Sequence, residues 1–343
     1  MAQSFFYPRN KFGSNTTLDN YQEIVILPLL MLDLVVVIVN YNTCDLLQKC
    51  LDSIYRSQTT LTFKVVVVDN ASPDDSVGMV SLKFPQVELI ACQENGGFAA
   101  ANNLGLQRAG FDKRGRPGQM APRYALLLNP DTVLPPTALP DMISFMDEHP
   151  QVGAAGPKLV RLDGSLDLAC RRSFPSPEVS FYRMVGFSKF FPKSPIFGRY
   201  NMTYVDPDEM LEVDAVVGAF MLVRREAIAQ AGLLDETYFM YGEDIDWAYQ
   251  IKTNGWKIFY NPAVTVTHIK RASSKHNPKA QIEFYRAMDI FYRKFYAKTT
   301  PFWLHSLIVT GIILPWKIYQ FKYWGLKFLH QIFHRDHSVR ISQ

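Results

Sequence analysis

The sequence predicts an α/β fold built on a mostly parallel sheet flanked by helices. Three observations carry that expectation. Unbroken runs rich in β-branched residues, such as 34–39 (LVVVIV) and 63–68 (FKVVVV), suit strands covered on both faces. Helical or turn-forming segments separate the runs, the alternation expected of a parallel sheet. Each run also ends in polar residues, at the carboxyl ends where open α/β sheets bind ligands. With 343 residues, 48% hydrophobic and 20% charged, the chain can bury a large core, which excludes a disordered or fibrous protein.

In chain order, residues 1–32 read as an N-terminal extension. Pro28 interrupts its apolar stretch and no small-residue cleavage site follows, so no signal peptide is expected. The strand at 34–39 is followed by a helix that Thr43 can cap and that buries Leu46, Leu47, Cys50, Leu51 and Ile54 on one face. The strand at 63–68 runs into the turn-forming residues Asp69, Asn70, Ala71, Ser72 and Pro73. A strand near 87–91 leads to Glu94, Asn95, Gly96 and Gly97. The Ala-rich stretch 98–109 is helical by propensity, and 124–128 is a fourth buried strand. Residues 170–210 hold five prolines and many aromatics without periodicity, and read as a loop-rich insertion. Beyond it, 212–223 is expected to form one strand containing Gly218, and the short runs 257–260 and 264–267 close the α/β part.

Charge divides the chain. Residues 269–343 carry 13 Lys and Arg against 3 Asp and Glu, so the net +4 combines a basic tail with an acidic body. A nucleic-acid-binding protein would place its basic stripe on the folded domain, so nucleic acid is not expected as a partner. Residues 302–316 form an uncharged run of 15 residues, about 22 Å as a helix and short for a hydrocarbon core of roughly 30 Å. Residues 317–334 mix lysines with aromatic and aliphatic residues, as in a helix lying in a membrane interface. The expectation is attachment of 269–343 to an anionic membrane surface. Cys44, Cys50, Cys92 and Cys170 show no Cys-x-x-Cys pair and no zinc spacing, and read as reduced structural thiols of a cytosolic protein.

Asn40, Asn42, Asp69, Asn70, Asn95, Asn129 and Asp131 fall at strand ends. Asp69 can accept hydrogen bonds from a nucleobase or ribose, or simply cap its turn. Asp131, after Asn129 and Pro130, is presented at the edge of the cleft, and His268 ends the last strand. A carboxylate plus an imidazole suits Mn²⁺ or Mg²⁺ better than zinc, with a diphosphate supplying further oxygens. Neither G-x-G-x-x-G nor G-x-x-x-x-G-K-[ST] occurs, which argues against a dinucleotide oxidoreductase and a P-loop NTPase. Glu243, Asp244 and Asp246 open a helix that should stop at Asn254 and Gly255. Among Tyr238, Phe239, Tyr241 and Trp247 these acids can either complement the helix dipole or supply a general base.

The motifs VVVIVNYN (35–42), VVVVDNAS (65–72), ENGGFAAANNLG (94–105), LLLNPDT (126–132), VDAVVGAFMLVRRE (213–226) and the stretch 232–268 resemble, in order, the family 2 glycosyltransferases with a GT-A fold, in their rhamnosyltransferase-like branch. The resemblance implies a GT-A catalytic domain over 33–268, with a nucleotide-sugar half at 33–132 and an acceptor half at 133–268. It implies nucleotide-sugar binding by Asn40, Asn42, Asp69, Asn95, Gly97, Asn102, Asn129 and Asp131, a metal at Asp131 and His268, and catalysis by Asp244 as base with Glu243 beside it. Asn129 departs from the family's Asp-x-Asp motif. That departure leaves a non-catalytic nucleotide-sugar-binding homologue as the alternative. The Gln-x-x-Arg-Trp motif of processive synthases is absent, so the expected reaction is inverting transfer of one sugar. Its implied donor is dTDP-L-rhamnose, with UDP-sugars and GDP-mannose behind it. The implied acceptor is a glycan or polyprenyl-linked hydroxyl at the cytoplasmic face of the cell membrane.

Overall fold

The computed structural model describes residues 32–270 and 278–339, with side chains over 32–270 and 279–325. The extension expected at 1–32 lies outside the described residues except for Leu32. Strand β1 (Leu34–Asn40) buries all seven of its residues, and β2 (Phe63–Asp69) lies beside it in parallel. Burying such a Val, Leu or Ile side chain stabilises the fold by about 1.5–3 kcal/mol. Helix α1 (Cys44–Tyr55) turns Leu46, Leu47, Cys50, Leu51 and Ile54 inward. Thr43 does not cap it through its side chain. The Thr43 hydroxyl instead donates to Asn40 Oδ1 (2.6 Å), and Asp74 Oδ2 accepts from the Cys44 N–H (2.9 Å).

Helix α2 (Ser76–Lys83) leads to β3 (Glu88–Ala91), and α3 (Phe98–Arg108) to β4 (Tyr124–Leu128), which lies parallel to β1 on its other side. Next come β5 (Thr132–Val133), α4 (Ala138–Glu148) and β6 (Val152–Val160). Because β6 reads VGAAGPKLV, it lacks the β-branched signature of the other strands. The small residues are required by what covers them: a Cβ at position 156 would lie 2.8 Å from the Val216 Cβ, and one at 153 would lie 2.6 Å from the Trp256 Cβ.

The insertion holds α5 (Pro177–Met184) and α6 (Phe187–Phe190). The single strand expected at 212–223 is two strands: β7 (Leu211–Glu212) pairs with the last strand of the sheet, while β8 (Phe220–Arg224) lies antiparallel to β4 and β6. Residues 214–218 leave the sheet between them because their polar groups are bonded elsewhere. Ala215 bridges Arg172, the Asp214 carboxylate accepts from the Phe174 N–H, and the Gly218 N–H donates to Asp244.

Helices α7 (Arg225–Ala231) and α8 (Glu243–Thr253) precede β9 (Lys257–His268), one strand where two short runs were expected. Pro262 is accommodated at a register shift opposite Pro157 and Lys158. Among the described residues nine strands form one sheet in the order β3-β2-β1-β4-β8-β6-β9-β5, with β7 also on β9. Helices α9 (Pro278–Phe295) and α10 (Phe302–Val339) follow. The uncharged run ends at Trp316, but α10 continues through Pro315, Lys317 and Lys322, and its 302–325 stretch is long and apolar enough to cross a membrane by length and composition.

Candidate active site

The carboxyl ends of β1, β2 and β4 lie side by side, so register alone brings the strand-end polar residues together. Asn40 pairs with Asp69 across β1 and β2, and its Nδ2 donates to Asp69 Oδ2 (2.8 Å). The Ser72 N–H donates to Asp69 Oδ1 (2.9 Å) and the Asn42 N–H to the Ser72 hydroxyl (2.9 Å). Asp69 is thereby fixed and buried, while Asn42 is exposed with a left-handed backbone (φ 55°). Asn70 carries the next link. Its Nδ2 donates to Asn95 Oδ1 (2.9 Å) and to the Gly97 carbonyl (3.1 Å), and its Oδ1 accepts from the Gly96 N–H (3.0 Å).

Gly97 has φ 92°, and a Cβ there would lie 2.6 Å from the Phe239 carbonyl oxygen, so both conformation and space demand glycine. The Phe98 N–H donates to that carbonyl (2.7 Å), locking the start of α3 to the turn before α8. Asn103 ties down the same loop by bonding both the N–H and the carbonyl of Leu234. Asn102 lies buried on α3, with its Nδ2 on the Phe98 carbonyl and its Oδ1 without a hydrogen-bond partner among the described residues.

Beyond β4, pairing of Thr132 with His268 sets Asp131 beside the imidazole. Asp131 Oδ1 lies 3.2 Å from His268 Nε2, and Asp167 Oδ2 lies 2.8 Å from His268 Nδ1. Burial alone would lower the His268 pKa, but carboxylates on both ring nitrogens outweigh it and raise it to about 9. Burial opposes ionisation of Asp167 too, yet His268 and Lys270 hold it well below the usual carboxylate range. With its Nε2 proton lost, His268, oriented by Asp167 and facing Asp131, would offer one imidazole nitrogen beside one carboxylate, a donor pair that fits a hard divalent cation. Among the described residues no group of three or more His, Cys, Asp or Glu is placed to hold a metal, so Asp131 and His268 would be a two-donor set of those types.

Two successive left-handed residues, Tyr241 (φ 70°) and Gly242 (φ 83°), swing the chain into α8 and make Glu243 and Asp244 its first residues. A left-handed tyrosine costs on the order of 1 kcal/mol or more and persists only where its surroundings enforce it. Asp244 Oδ2 accepts from Arg172 Nη2 (2.7 Å) and from the Gly218 N–H (3.0 Å). The neighbouring Ala219 carbonyl accepts from the Asn129 N–H (3.0 Å), so two residues, 218 and 219, join the Asn129–Asp131 turn to the Asp244 carboxylate. Burial works against the Arg172 charge, but Asp244 reverses this and drives its pKa up. Glu243 differs: burial and the adjacent Asp244 push it up to about 8, and its Oε2 has no hydrogen-bond partner among the described residues.

The profile of glycosyl transferase family 2 matches residues 35–230, more than half of the chain and all of the strands that frame this site except β9. The chain belongs to glycosyl transferase family 2. This glycosyltransferase is 28% identical over 248 residues to the N-acetylglucosaminyl-diphospho-decaprenol L-rhamnosyltransferase of Mycobacterium tuberculosis, covering 72% of this chain and 79% of the relative. It is 28% identical over 245 residues to rhamnosyltransferase WbbL of Escherichia coli, covering 68% and 82%. Among solved structures it is similar to GalNAc-T7 with UDP, GalNAc and Mn²⁺ (TM-score 0.53, 16% identity, 79% of this chain). It is also similar to the mannosyltransferase PcManGT from Pyrobaculum calidifontis in complex with GDP-Man and Mn²⁺ (TM-score 0.51, 17% identity, 82% of this chain and 69% of that one). The chain spans about half, 51%, of the GalNAc-T7 structure. At these identities the structures establish the GT-A fold of the glycosyltransferase.

Sequence reasoning did not find Asp167 or Arg172. The Arg171-Arg172 pair, unusual among prolines and aromatics, was the available signal, since the acid-rich start of α8 calls for a cation. For Asp167 no local pattern exists, because its partner His268 is 101 residues away.

Proposed function

We propose that this glycosyltransferase moves one sugar from a nucleotide-sugar to a hydroxyl of a lipid-linked glycan acceptor, with inversion at the anomeric carbon, in cell-surface polysaccharide synthesis. The observation that carries the reading is the joining of the Asn129–Asp131 turn to Asp244 through Gly218 and Ala219, which sets a diphosphate-facing edge next to a buried carboxylate. Asp69 is the nucleoside contact, with Asn40 and Ser72 fixing its two oxygens. Asn42, Asn95, Gly97, Asn102 and Asn129 complete the donor edge. Asp131 and His268 would hold a divalent cation, Mn²⁺ or Mg²⁺, which would supply positive charge against the departing diphosphate. Asp244 accepts the proton of the attacking hydroxyl, and Glu243, protonated at neutral pH, adds no second negative charge beside it.

Relatives named as L-rhamnosyltransferases favour L-rhamnose as the sugar, carried as dTDP-L-rhamnose, and the mycobacterial relative's name favours a polyprenyl diphosphate acceptor. The basic segment 269–343 and the exposed apolar α10 support action at the cytoplasmic face of a membrane. Incubation of the full chain with dTDP-L-rhamnose, UDP-sugars and GDP-mannose in Mn²⁺ tests the function. Nucleoside diphosphate should be released from dTDP-L-rhamnose, stop on chelation and resume when Mn²⁺ or Mg²⁺ is restored. Absence of release from every donor would instead leave a non-catalytic nucleotide-sugar-binding homologue.

A further inference from the structure

The insertion between β6 and β7 folds into a small aromatic knob. Rings of Tyr182, Phe187 and Phe191 surround Phe197 with centroids 4.9, 5.2 and 5.6 Å away. What the knob turns outward is apolar: Phe190 is 76% exposed, and Phe191 and Ile196 are each 54% exposed. Scattered apolar residues are normal on a surface, but three large ones on one knob form a patch. Cations border it. Between positions 175 and 205 the chain carries Arg183, Lys189, Lys193 and Arg199 against a single acid, Glu178.

Helix α5, which leads into the patch, packs on α10. The Met184 sulfur at the end of α5 sits against Gly311 of α10, in space that a Cβ at 311 would need. Helix α10 exposes Phe302, Phe321 and Trp324 within the stretch that is long and apolar enough to cross a membrane.

We propose that the knob is a second membrane contact, in which Phe190, Phe191 and Ile196 enter the interface of an anionic bilayer beside α10. This rests on the membrane attachment proposed above. Charge selects lipid over a second copy of the chain: pairing two knobs would set cations against cations, whereas anionic headgroups complement Lys189, Lys193 and Arg199 while the rings enter the acyl boundary. The knob leaves the active site at Arg172, so the segment that holds Asp244 also reaches the surface carrying a lipid-linked acceptor.

The test uses the full chain with Cys44 and Cys92 changed to Ser and an environment-sensitive fluorophore on Phe190→Cys, with Leu82→Cys on α2 as the control site. Vesicles of phosphatidylcholine and phosphatidylglycerol (3:1) should blue-shift the probe at 190 and leave the one at 82 unchanged. In unlabelled protein, Phe190→Asp with Phe191→Asp should lower the vesicle-bound fraction at least threefold while nucleoside diphosphate release stays within twofold of the parent. A bound protein with an aqueous probe at 190 and an unchanged bound fraction for the double variant overturns the knob contact and leaves α10 as the anchor. No binding to vesicles overturns the membrane attachment as well. A shift that grows with protein concentration without lipid overturns it in favour of self-association. Diphosphate release is read separately, so failure of the transferase reading is distinguishable from each of these.

Discussion

Asp244 and Glu243 are neighbours in sequence with different partners. Asp244 is the anion of a buried ion pair, and Arg172 supplies the cation from 72 residues away. Arg172→Met should leave a buried carboxylate without its cation, costing about 3 kcal/mol in denaturant unfolding and most of the transfer activity, with partial recovery in Arg172→Lys. Glu243 has a folded pKa near 8, above its unfolded value of about 4.5, so its contribution to stability is complete below pH 4.5 and lost as pH rises through 8. Glu243→Gln removes that titration. Its melting temperature relative to the parent should therefore climb between pH 5 and pH 8 and level off above, and a pH-independent difference would contradict the assignment. Asp131 and His268 were legible as a carboxylate and an imidazole beside strand ends, and the pairing of Thr132 with His268 brings them to 3.2 Å. Arg172 and Asp167 were not legible, because each acquires its meaning from a partner that only the tertiary fold supplies.

Elements were legible in proportion to how far local pattern decides them. Strands β1, β2 and β4 announce themselves because buried parallel strands are apolar on both faces. Strand β6 hides because Trp256 and Val216 approach positions 153 and 156 so closely that both must be glycine. The expected strand at 212–223 fails at 214–218, where bonds to Arg172, Phe174 and Asp244 replace sheet pairing; these partners lie 26 to 44 residues away in sequence. The start of helix α3 meets Phe239 at Gly97 and Phe98, which ties it to the turn entering α8. Gly97→Ala should cost about 1–3 kcal/mol of stability from backbone strain and weaken nucleotide binding together. Calorimetric titration with nucleoside diphosphate checks this, and unchanged affinity would show that the α3 start does not shape the donor edge.

At the scale of the whole molecule, one mixed sheet carries the strand-end polar residues of β1, β2 and β4 and the histidine on β9, while β8 runs antiparallel between β4 and β6 to close the centre. The acidic body and basic tail read from composition correspond to the sheet with its carboxylate-lined site and to α9 and α10. Lys294 of α9 joins the two, bonding Asp246 of α8 (2.8 Å) and Asp235 (2.6 Å). The central claim is that Asp244 removes the acceptor proton in a site whose donor binding is built by other residues. Comparing the parent with Asp244→Asn, with dTDP binding and sugar transfer measured in the same Mn²⁺ buffer, tests it most directly. The account predicts transfer reduced roughly 10²–10⁴-fold with nucleotide affinity nearly unchanged, and transfer within tenfold of the parent would contradict it.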